Sequence, residues 1–141
     1  MTSPTPMTLA SLQALLDASP AIAALGVRME AADPARSAVE LSMTMHPALE
    51  RAEGTGQFHG GPLASLVDIA GDVAVAMMIG GGVPTIDLRI DYLRPVLTSS
   101  VRARAIVRKL GRTIAIADIE VLDADGKLCV LGRASYSPRV G

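Results

Sequence analysis

Two carboxylates interrupt an otherwise apolar segment near the middle of this 141-residue chain. Residues 62–79 read PLASLVDIAGDVAVAMMI, and Asp68 and Asp72 are the only charged residues among them. A segment that is apolar nearly all round is typical of a buried helix, and residues four apart lie one turn apart on the same helix face. A carboxylate on such a helix must form an ion pair, contact water in a cleft or take part in catalysis.

The tripeptide His59-Gly60-Gly61 directly precedes this helix. Free backbone N–H groups point out of a helix N-terminus and favour negative charge there. Because glycine has no Cβ, a substrate carbonyl could approach such an N–H closely. The tripeptide could therefore form an oxyanion hole for acyl transfer. The alternative is that the glycines only let the chain turn into the helix.

The spacing between Gly60 and Asp68 limits what the two residues can do together within one chain. Eight residues of helix rise by about 12 Å, which is too far for one substrate carbonyl to reach both groups in the same chain. If two chains pack these helices antiparallel about a two-fold axis, Asp68 of one chain can face Gly60 of the other. The alternative is that Asp68 is solvated on one solvent-exposed face of the helix, together with Ser65 and Asp72.

The rest of the chain predicts the elements that must position these groups. Ser19-Pro20 ends a first helix, Gly80-Gly81-Gly82 ends the central helix, and Asp123-Ala-Asp-Gly126 is a hairpin turn. Alternation in the strand that follows the central helix predicts one shared side for Ile86, Leu88, Ile90 and Tyr92. The predicted helices cover residues 9–18 and 62–79, and the predicted strands cover 26–32, 37–45, 85–93, 101–110, 113–122 and 128–137.

This order of elements predicts an α+β domain, in which an antiparallel sheet holds one buried helix against its concave face. We expect residues 1–8 to form a flexible N-terminal tail and residues 9–141 to form a single domain. The mean hydropathy of +0.39 is high for a monomer of this size, so part of the surface is expected to be buried between subunits.

Composition argues against several classes of protein. The net charge is −1 and the aromatic residues are one Phe and two Tyr, so we expect no nucleic-acid partner. A single cysteine and two histidines offer no disulfide framework and no metal-ligand pattern, so no metal is expected. Two acids in the apolar segment argue against a membrane span. The N-terminus lacks the pattern of a signal peptide, which predicts a cytoplasmic protein.

Two longer motifs carry a family resemblance. The segment HGGPLASLVDIAGDVA, followed by TIDLRIDYLRP at residues 85–95, closely resembles the hotdog-fold acyl-CoA thioesterases of the phenylacetate-degradation type. The resemblance extends over about residues 20–137. It implies a long helix wrapped by an antiparallel sheet, a dimer or dimer of dimers with sites at the dimer interface, and no metal or organic cofactor.

The resemblance also implies roles for individual residues. By position, Asp68 is the nucleophile or the general base on water, and Gly60 is the backbone donor that polarises the thioester carbonyl. His59 fixes the loop before the helix, and Gly61 is a substrate-binding candidate beside it. Thr85 falls near a Ser or Thr that helps hold water.

One departure from the family pattern concerns the position six residues before His59. Such enzymes usually carry Asn or Gln there, but this chain has Glu53. A carboxylate cannot donate a hydrogen bond unless it is protonated, and Asp72 adds a third acid near the site. We therefore expect Glu53 to change the substrate or the mechanism, or to abolish catalysis. Asp72 is retained as a substrate-binding candidate.

Arginines are candidates for the phosphates of coenzyme A, because guanidinium groups bind phosphate with bidentate geometry. Arg94, within the motif at residues 85–95, and Arg112 are the main candidates, with Arg108 and Arg133 as further ones. The alternative for each is an ordinary solvated surface charge.

The sequence thus predicts an enzyme that hydrolyses an acyl-CoA to a free acid and coenzyme A. One alternative is a non-catalytic acyl-CoA-binding or sensing protein of the same fold, which Glu53 would favour. Another is a hydratase or dehydratase, which needs a His/acid pair at a double bond and fits the His-Gly-Gly loop less well. The sequence does not identify the acyl group.

Overall fold

The computed structural model describes residues 3–139 as six antiparallel strands wrapped around one long helix. The strand order across the sheet is β1-β2-β4-β5-β6-β3, and short 3-10 turns cover Pro34–Arg36 and Pro47–Leu49. The elements are α1 (Leu9–Asp17), α2 (Pro20–Leu25), β1 (Arg28–Asp33), β2 (Ala38–Thr44), α3 (Gly60–Ile79), β3 (Thr85–Tyr92), β4 (Ser100–Leu110), β5 (Ala115–Asp123) and β6 (Leu128–Tyr136). The predicted α+β hotdog fold is confirmed.

The N-terminal region differs in one element from the prediction. Pro20 does not only end α1; it begins the second helix, α2, as its first residue, where proline's fixed φ suits a helix. Ser19 caps α2 by accepting a hydrogen bond from the N–H of Ile22 at 3.4 Å. Before α1, residues 3–8 form no helix or strand, and Met7 N–H donates to the carbonyl of Met77 at 2.9 Å. The predicted flexibility of the tail and the single-domain boundary stay predictions, and Met1 and Thr2 lie outside the described residues.

The core lies between α3 and the inner face of the sheet. On β4 the small apolar residues Val101, Ala103 and Ala105 are buried, while Arg102 and Arg104 between them point to the outer face. By length and composition α3 could cross a membrane, but in this fold it is the core helix. Its apolar composition follows from burial against the sheet.

Two glycines let the helix and the sheet approach each other closely. A Cβ on Gly132 of β6 would lie 2.4 Å from Cγ1 of Val67. A Cβ on Gly71 of α3 would lie 2.1 Å from the hydroxyl oxygen of Tyr136. Tyr136, on β6, is fully buried. Because real Cβ atoms do not make contacts this short, both positions require glycine.

Strand β3 contains a β-bulge that changes which side chains face the helix. Thr85 pairs with Tyr136 and Asp87 pairs with Ser135, which leaves Ile86 as an extra residue. Since directly opposite residues share a face, Thr85 lies on the inner face together with Tyr136. The predicted alternation therefore fails at Ile86, which is 59% exposed.

Candidate active site

The start of α3 is built around one fixed peptide group. His59 is the N-cap residue, and its Nδ1 accepts a hydrogen bond from Gly61 N–H at 3.0 Å. The carbonyl of Gly60, in the same peptide group, accepts a hydrogen bond from the hydroxyl of Tyr92 at 2.7 Å. That peptide is therefore held at both its N–H and its C=O. Because Nδ1 is the acceptor, a neutral His59 carries its proton on Nε2.

This arrangement distinguishes the two glycines. The N–H of Gly61 is occupied by His59, whereas the N–H of Gly60 has no acceptor anywhere in residues 3–139. A Cβ on Gly60 would lie 3.4 Å from both Cζ and the hydroxyl oxygen of Tyr92, so the aromatic ring packs against this glycine. Gly60 thus offers a free, positioned donor at the positive end of the helix, which is the geometry an oxyanion hole needs.

A cleft of about 390 Å³ opens at Gly60. Its walls are mainly apolar, and two arginines, Arg51 and Arg94, contribute the charged groups. An acyl chain and an anionic group could both be accommodated there. The cleft is lined by Arg51, Gln57, Phe58, Gly60, Leu63, Tyr92, Leu93, Arg94, Pro95 and Val96.

Asp68 lies two turns further along α3, outside this cleft. Its Oδ1 accepts a hydrogen bond from the hydroxyl of Thr85 at 2.7 Å. The bulge at Ile86 makes this contact possible, because it places Thr85 on the inner face of the sheet. The backbone carbonyl of Asp68 also accepts a hydrogen bond from Tyr136 at 2.8 Å. Burial raises the pKa of Tyr136, so its hydroxyl is a neutral donor.

Asp72 lies one turn after Asp68 and contacts its own chain. Its Oδ1 accepts a hydrogen bond from Val83 N–H at 3.0 Å. Burial raises the pKa of Asp72 to about 6; the hydrogen bond from Val83 lowers it, and the nearby Asp68 carboxylate raises it further. In the described part of the chain, neither acid forms an ion pair.

The loop that carries Glu53 is organised by a different acid. Both carboxylate oxygens of Glu50 accept backbone hydrogen bonds, from Gly54 N–H at 3.1 Å and from Gly56 N–H at 2.7 Å. Glu53 itself is exposed and does not line the cleft at Gly60. From this loop, Arg51 and Gln57 line the cleft. Within one chain, the structure does not bring Glu53 to Gly60.

The four candidate arginines lie in different surroundings. Arg94 lines the cleft at Gly60, whereas Arg112 is exposed in the β4–β5 turn, at the end of the sheet where Thr85 begins β3. On the outer face, Arg108 and Arg133 both bind Asp118, with Nε–carboxylate distances of 2.9 and 2.5 Å. The hydrogen bond from Arg133 is the main cause of the lowered pKa of Asp118. These two arginines are engaged in a surface ion network.

The described chain therefore assembles two separate clusters. One contains His59, Gly60 and Arg94 at the start of α3, and the other contains Asp68, Thr85 and Asp72 two to three turns later. Among residues 3–139, no three His, Cys, Asp or Glu side chains group as metal ligands would.

Several contacts were missed in the sequence interpretation. Tyr92 was predicted only to share one side of its strand with neighbouring apolar residues, and the support that Tyr136 gives to Asp68 had no local signal of its own. A glycine in the middle of a helix is costly and indicates close packing, so Gly71 could have pointed to a bulky neighbour such as Tyr136. The role of Glu50 could not be separated from that of Glu53 by spacing alone.

Comparison with known proteins defines the class to which the fold and site belong. The sequence profile of the thioesterase superfamily matches residues 55–130, a range that contains both clusters. The chain belongs to this superfamily. A predicted esterase of Halobacterium salinarum is 32% identical over 138 residues, which cover 90% of this chain and 89% of that protein.

Solved structures agree with this assignment. A thioesterase of Haemophilus influenzae is similar with a TM-score of 0.82 and 28% identity, covering 97% of this chain and 94% of its own. The PaaI protein from the phenylacetic acid degradation operon of E. coli is similar with a TM-score of 0.78 and 26% identity, covering 95% and 97%. The protein is thus a hotdog-fold thioester hydrolase, which confirms the family resemblance.

Proposed function

We propose that the protein hydrolyses acyl-CoA thioesters in a site shared by two chains, with Asp68 from one chain and the Gly60 N–H from the other. One observation carries the proposal: the two clusters are tied to opposite ends of the same edge strand. Asp68 contacts Thr85 at the start of β3, and Gly60 contacts Tyr92 at its end.

Strand β3 is suited to pair with a second copy of itself. It is the last strand of the sheet, so its outer edge has no strand partner in the described chain. Ile86 and Tyr92 are 59% and 53% exposed along it. Exposed apolar edge strands are normally covered or paired. Antiparallel pairing about a two-fold axis would place the start of one β3 beside the end of the other, and so would bring Asp68 toward Gly60 of the second copy.

The charges on β3 favour one register for this pairing. Directly opposite residues share a face, so a residue must lie on the two-fold axis, and the two central residues of β3 are Leu88 and Arg89. With Leu88 on the axis, Asp87 lies opposite Arg89 of the second copy. With Arg89 on the axis, Asp87 lies opposite Asp91, and opposed like charges are destabilising. We therefore place Leu88 on the axis.

In the reaction, Asp68 acts as a general base on water or attacks the thioester carbonyl itself. In the first route, water adds to the carbonyl carbon while Asp68 takes its proton. In the second route, an acyl-Asp68 anhydride forms and is then hydrolysed. In both routes the carbonyl oxygen becomes an oxyanion, which the Gly60 N–H stabilises, and coenzyme A leaves as the thiolate. Thr85 holds the Asp68 carboxylate in place or positions the water.

The cleft at Gly60 supports an acyl-CoA substrate. Its apolar walls suit the acyl group, and Arg51 and Arg94 suit the anionic coenzyme A tail. Arg112 lies at the Thr85 end of its own sheet, so in the dimer it would come near the Gly60 end of the second copy. Glu53 and Gly61 stay predictions as site residues. A cytoplasmic protein and a dimer of dimers stay predictions.

The first experiment is a hydrolysis screen across aliphatic and aromatic acyl-CoAs, with free thiol as the readout. At least one substrate should be turned over, and Asp68→Asn should lower kcat about a hundredfold or more, the scale of a lost general base or nucleophile. Asp125→Asn, in an exposed turn, is the matched control and should leave kcat unchanged. Binding of acyl-CoA without turnover of any substrate would instead support the sensing alternative.

The shared site is tested by complementation between two inactive variants. Gly60→Pro removes the N–H, and the backbone tolerates it: His59 has φ −66° and ψ 146°, an extended conformation that a following proline accepts. Each homodimer, Gly60→Pro or Asp68→Asn, should be nearly inactive. A heterodimer combines both lesions in one site and leaves the other intact, so co-refolding should restore activity. Verified heterodimers that stay inactive would rule out the shared site.

The pairing register is tested by cross-linking. In the favoured register, Leu88 lies opposite Leu88 of the second copy at a Cα separation of about 4.5–5.5 Å, within the range of a disulfide. Leu88→Cys should therefore oxidise to a covalent dimer. Arg89→Cys is the matched control and should not, because its copies lie diagonally more than about 7 Å apart. The only native cysteine, Cys129, is buried and should not interfere.

A further inference from the structure

The two acids of α3 hold the same short stretch of chain from consecutive helix turns. Asp72 accepts a hydrogen bond from Val83 N–H at 3.0 Å, and Asp68 accepts one from the hydroxyl of Thr85 at 2.7 Å. Between these contacts, the carbonyl of Pro84 accepts a hydrogen bond from Ser137 N–H at 2.9 Å. The entry into β3 is thus fixed at three successive residues.

The surroundings of Asp72 favour a role inside the protein over contact with substrate. Val83 is 7% exposed, and a Cβ on Gly82 would lie 4.0 Å from both carboxylate oxygens of Asp72. The ionisable groups that face Asp72 are Asp68 from its own helix and the Tyr136 hydroxyl from β6. Within residues 3–139, no basic side chain lies within 4 Å of Asp72.

We propose that Asp72 is a positioning residue of the active site, which fixes Val83 so that Thr85, two residues later, presents its hydroxyl to Asp68. This inference rests on the hydrolysis proposed above. Without the Asp72 acceptor, the entry into β3 loses one of the two backbone hydrogen bonds that precede Thr85, so the hydroxyl that orients the Asp68 carboxylate is held less firmly. A fixed carboxylate is what a proton transfer or nucleophilic attack requires.

A double-mutant cycle separates this role from a general structural one. Asp72→Ala removes the acceptor and should lower kcat about tenfold with KM nearly unchanged, and Thr85→Ala should have a similar effect. If Asp72 acts through Thr85, the double variant should be no more than about twofold slower than Thr85→Ala alone. Losses that multiply, or an unchanged kcat in Asp72→Ala, would overturn the proposal.

The conservative variant Asp72→Asn supplies the matched control and a pH readout. Its side-chain oxygen still accepts from Val83, so kcat should stay within about threefold of wild type. A charged acceptor holds an N–H more strongly than an amide. Wild-type kcat should therefore contain a two- to threefold rise through about pH 6, where Asp72 ionises. Asp72→Asn should lack this step, and its persistence in the variant would contradict the role of Asp72.

Amide hydrogen exchange at Val83 tests the geometry without reference to turnover. Exchange should be slow in wild type and in Asp72→Asn, and at least tenfold faster in Asp72→Ala. An unchanged rate in Asp72→Ala overturns the inference. If wild type hydrolyses no thioester, the proposed function fails. The exchange rates then test only whether Asp72 holds the N–H of Val83. If Asp72→Ala does not fold, the pH step in Asp72→Asn decides.

Discussion

Replacing Gly71 by alanine should destabilise the protein, although the same change in most helices is stabilising. In a helix interior alanine is favoured over glycine by about 1 kcal/mol. Here the added Cβ would lie 2.1 Å from the hydroxyl oxygen and 2.9 Å from Cζ of Tyr136, which is fully buried and cannot move into solvent. Overpacking of this kind costs about 1–3 kcal/mol. Displacement of the ring also breaks the hydrogen bond to the carbonyl of Asp68, worth about 1 kcal/mol.

The sum is a net loss of about 2 kcal/mol in the free energy of unfolding, or a fall of about 8 °C in Tm for a chain of this length. Thermal unfolding followed by circular dichroism at one fixed protein concentration measures it. The control is Tyr136→Phe, which removes the closest atom. The double variant Gly71→Ala/Tyr136→Phe should lose less than the sum of the single variants. A Gly71→Ala protein more stable than wild type would refute the close approach of α3 to β6.

Three further outcomes are expected. Asp72→Asn should be more stable than wild type by about 3 kcal/mol above pH 6 and equally stable below about pH 4, as measured by urea unfolding at several pH values. The reason is that the folded state of wild type keeps a proton, up to about pH 6, that the unfolded chain releases near 3.8. Tyr92→Phe should lower kcat five- to tenfold while leaving Tm within a few degrees, because it frees the carbonyl of Gly60 but keeps the ring. Steady-state kinetics with an accepted acyl-CoA measures the change in kcat. Gly132→Ala should lower Tm by several degrees, and adding Val67→Ala should recover part of the loss, because the new Cβ would otherwise lie 2.4 Å from Val67 Cγ1.

The sequence by itself determined the secondary structure around the candidate site. The apolar segment bounded by glycines at both ends predicts α3. A segment that is apolar nearly all round indicates a buried helix, and the glycines indicate where the helix ends. The rise of the helix alone separates Gly60 from Asp68 by about 12 Å, so the prediction of a site shared by two chains needs no tertiary structure. The motifs also identified Asp68, Gly60 and Thr85 as candidate site residues.

Only the tertiary structure decided how these residues are supported and which of them meet. The bulge at Ile86 turns Thr85 toward Asp68, and no local pattern predicts it, because a bulge depends on the register between β3 and β6. In the same way, the outer-face pairing of Arg133 with Asp118 depends on the register between β5 and β6. Periodicity records which face a residue occupies, whereas its partner is set by chain segments that lie far away in sequence.

The hydroxyl of Tyr92 on the Gly60 carbonyl joins residues 32 positions apart, and Tyr136 on the Asp68 carbonyl joins residues 68 positions apart. Such contacts form only when α3 lies across the sheet at one depth and one angle. Gly71 and Gly132 permit that depth, and the reason for glycine at these two positions is visible only in the packed structure. Local propensity thus placed the candidate site residues on their elements, and long-range packing determined their orientation.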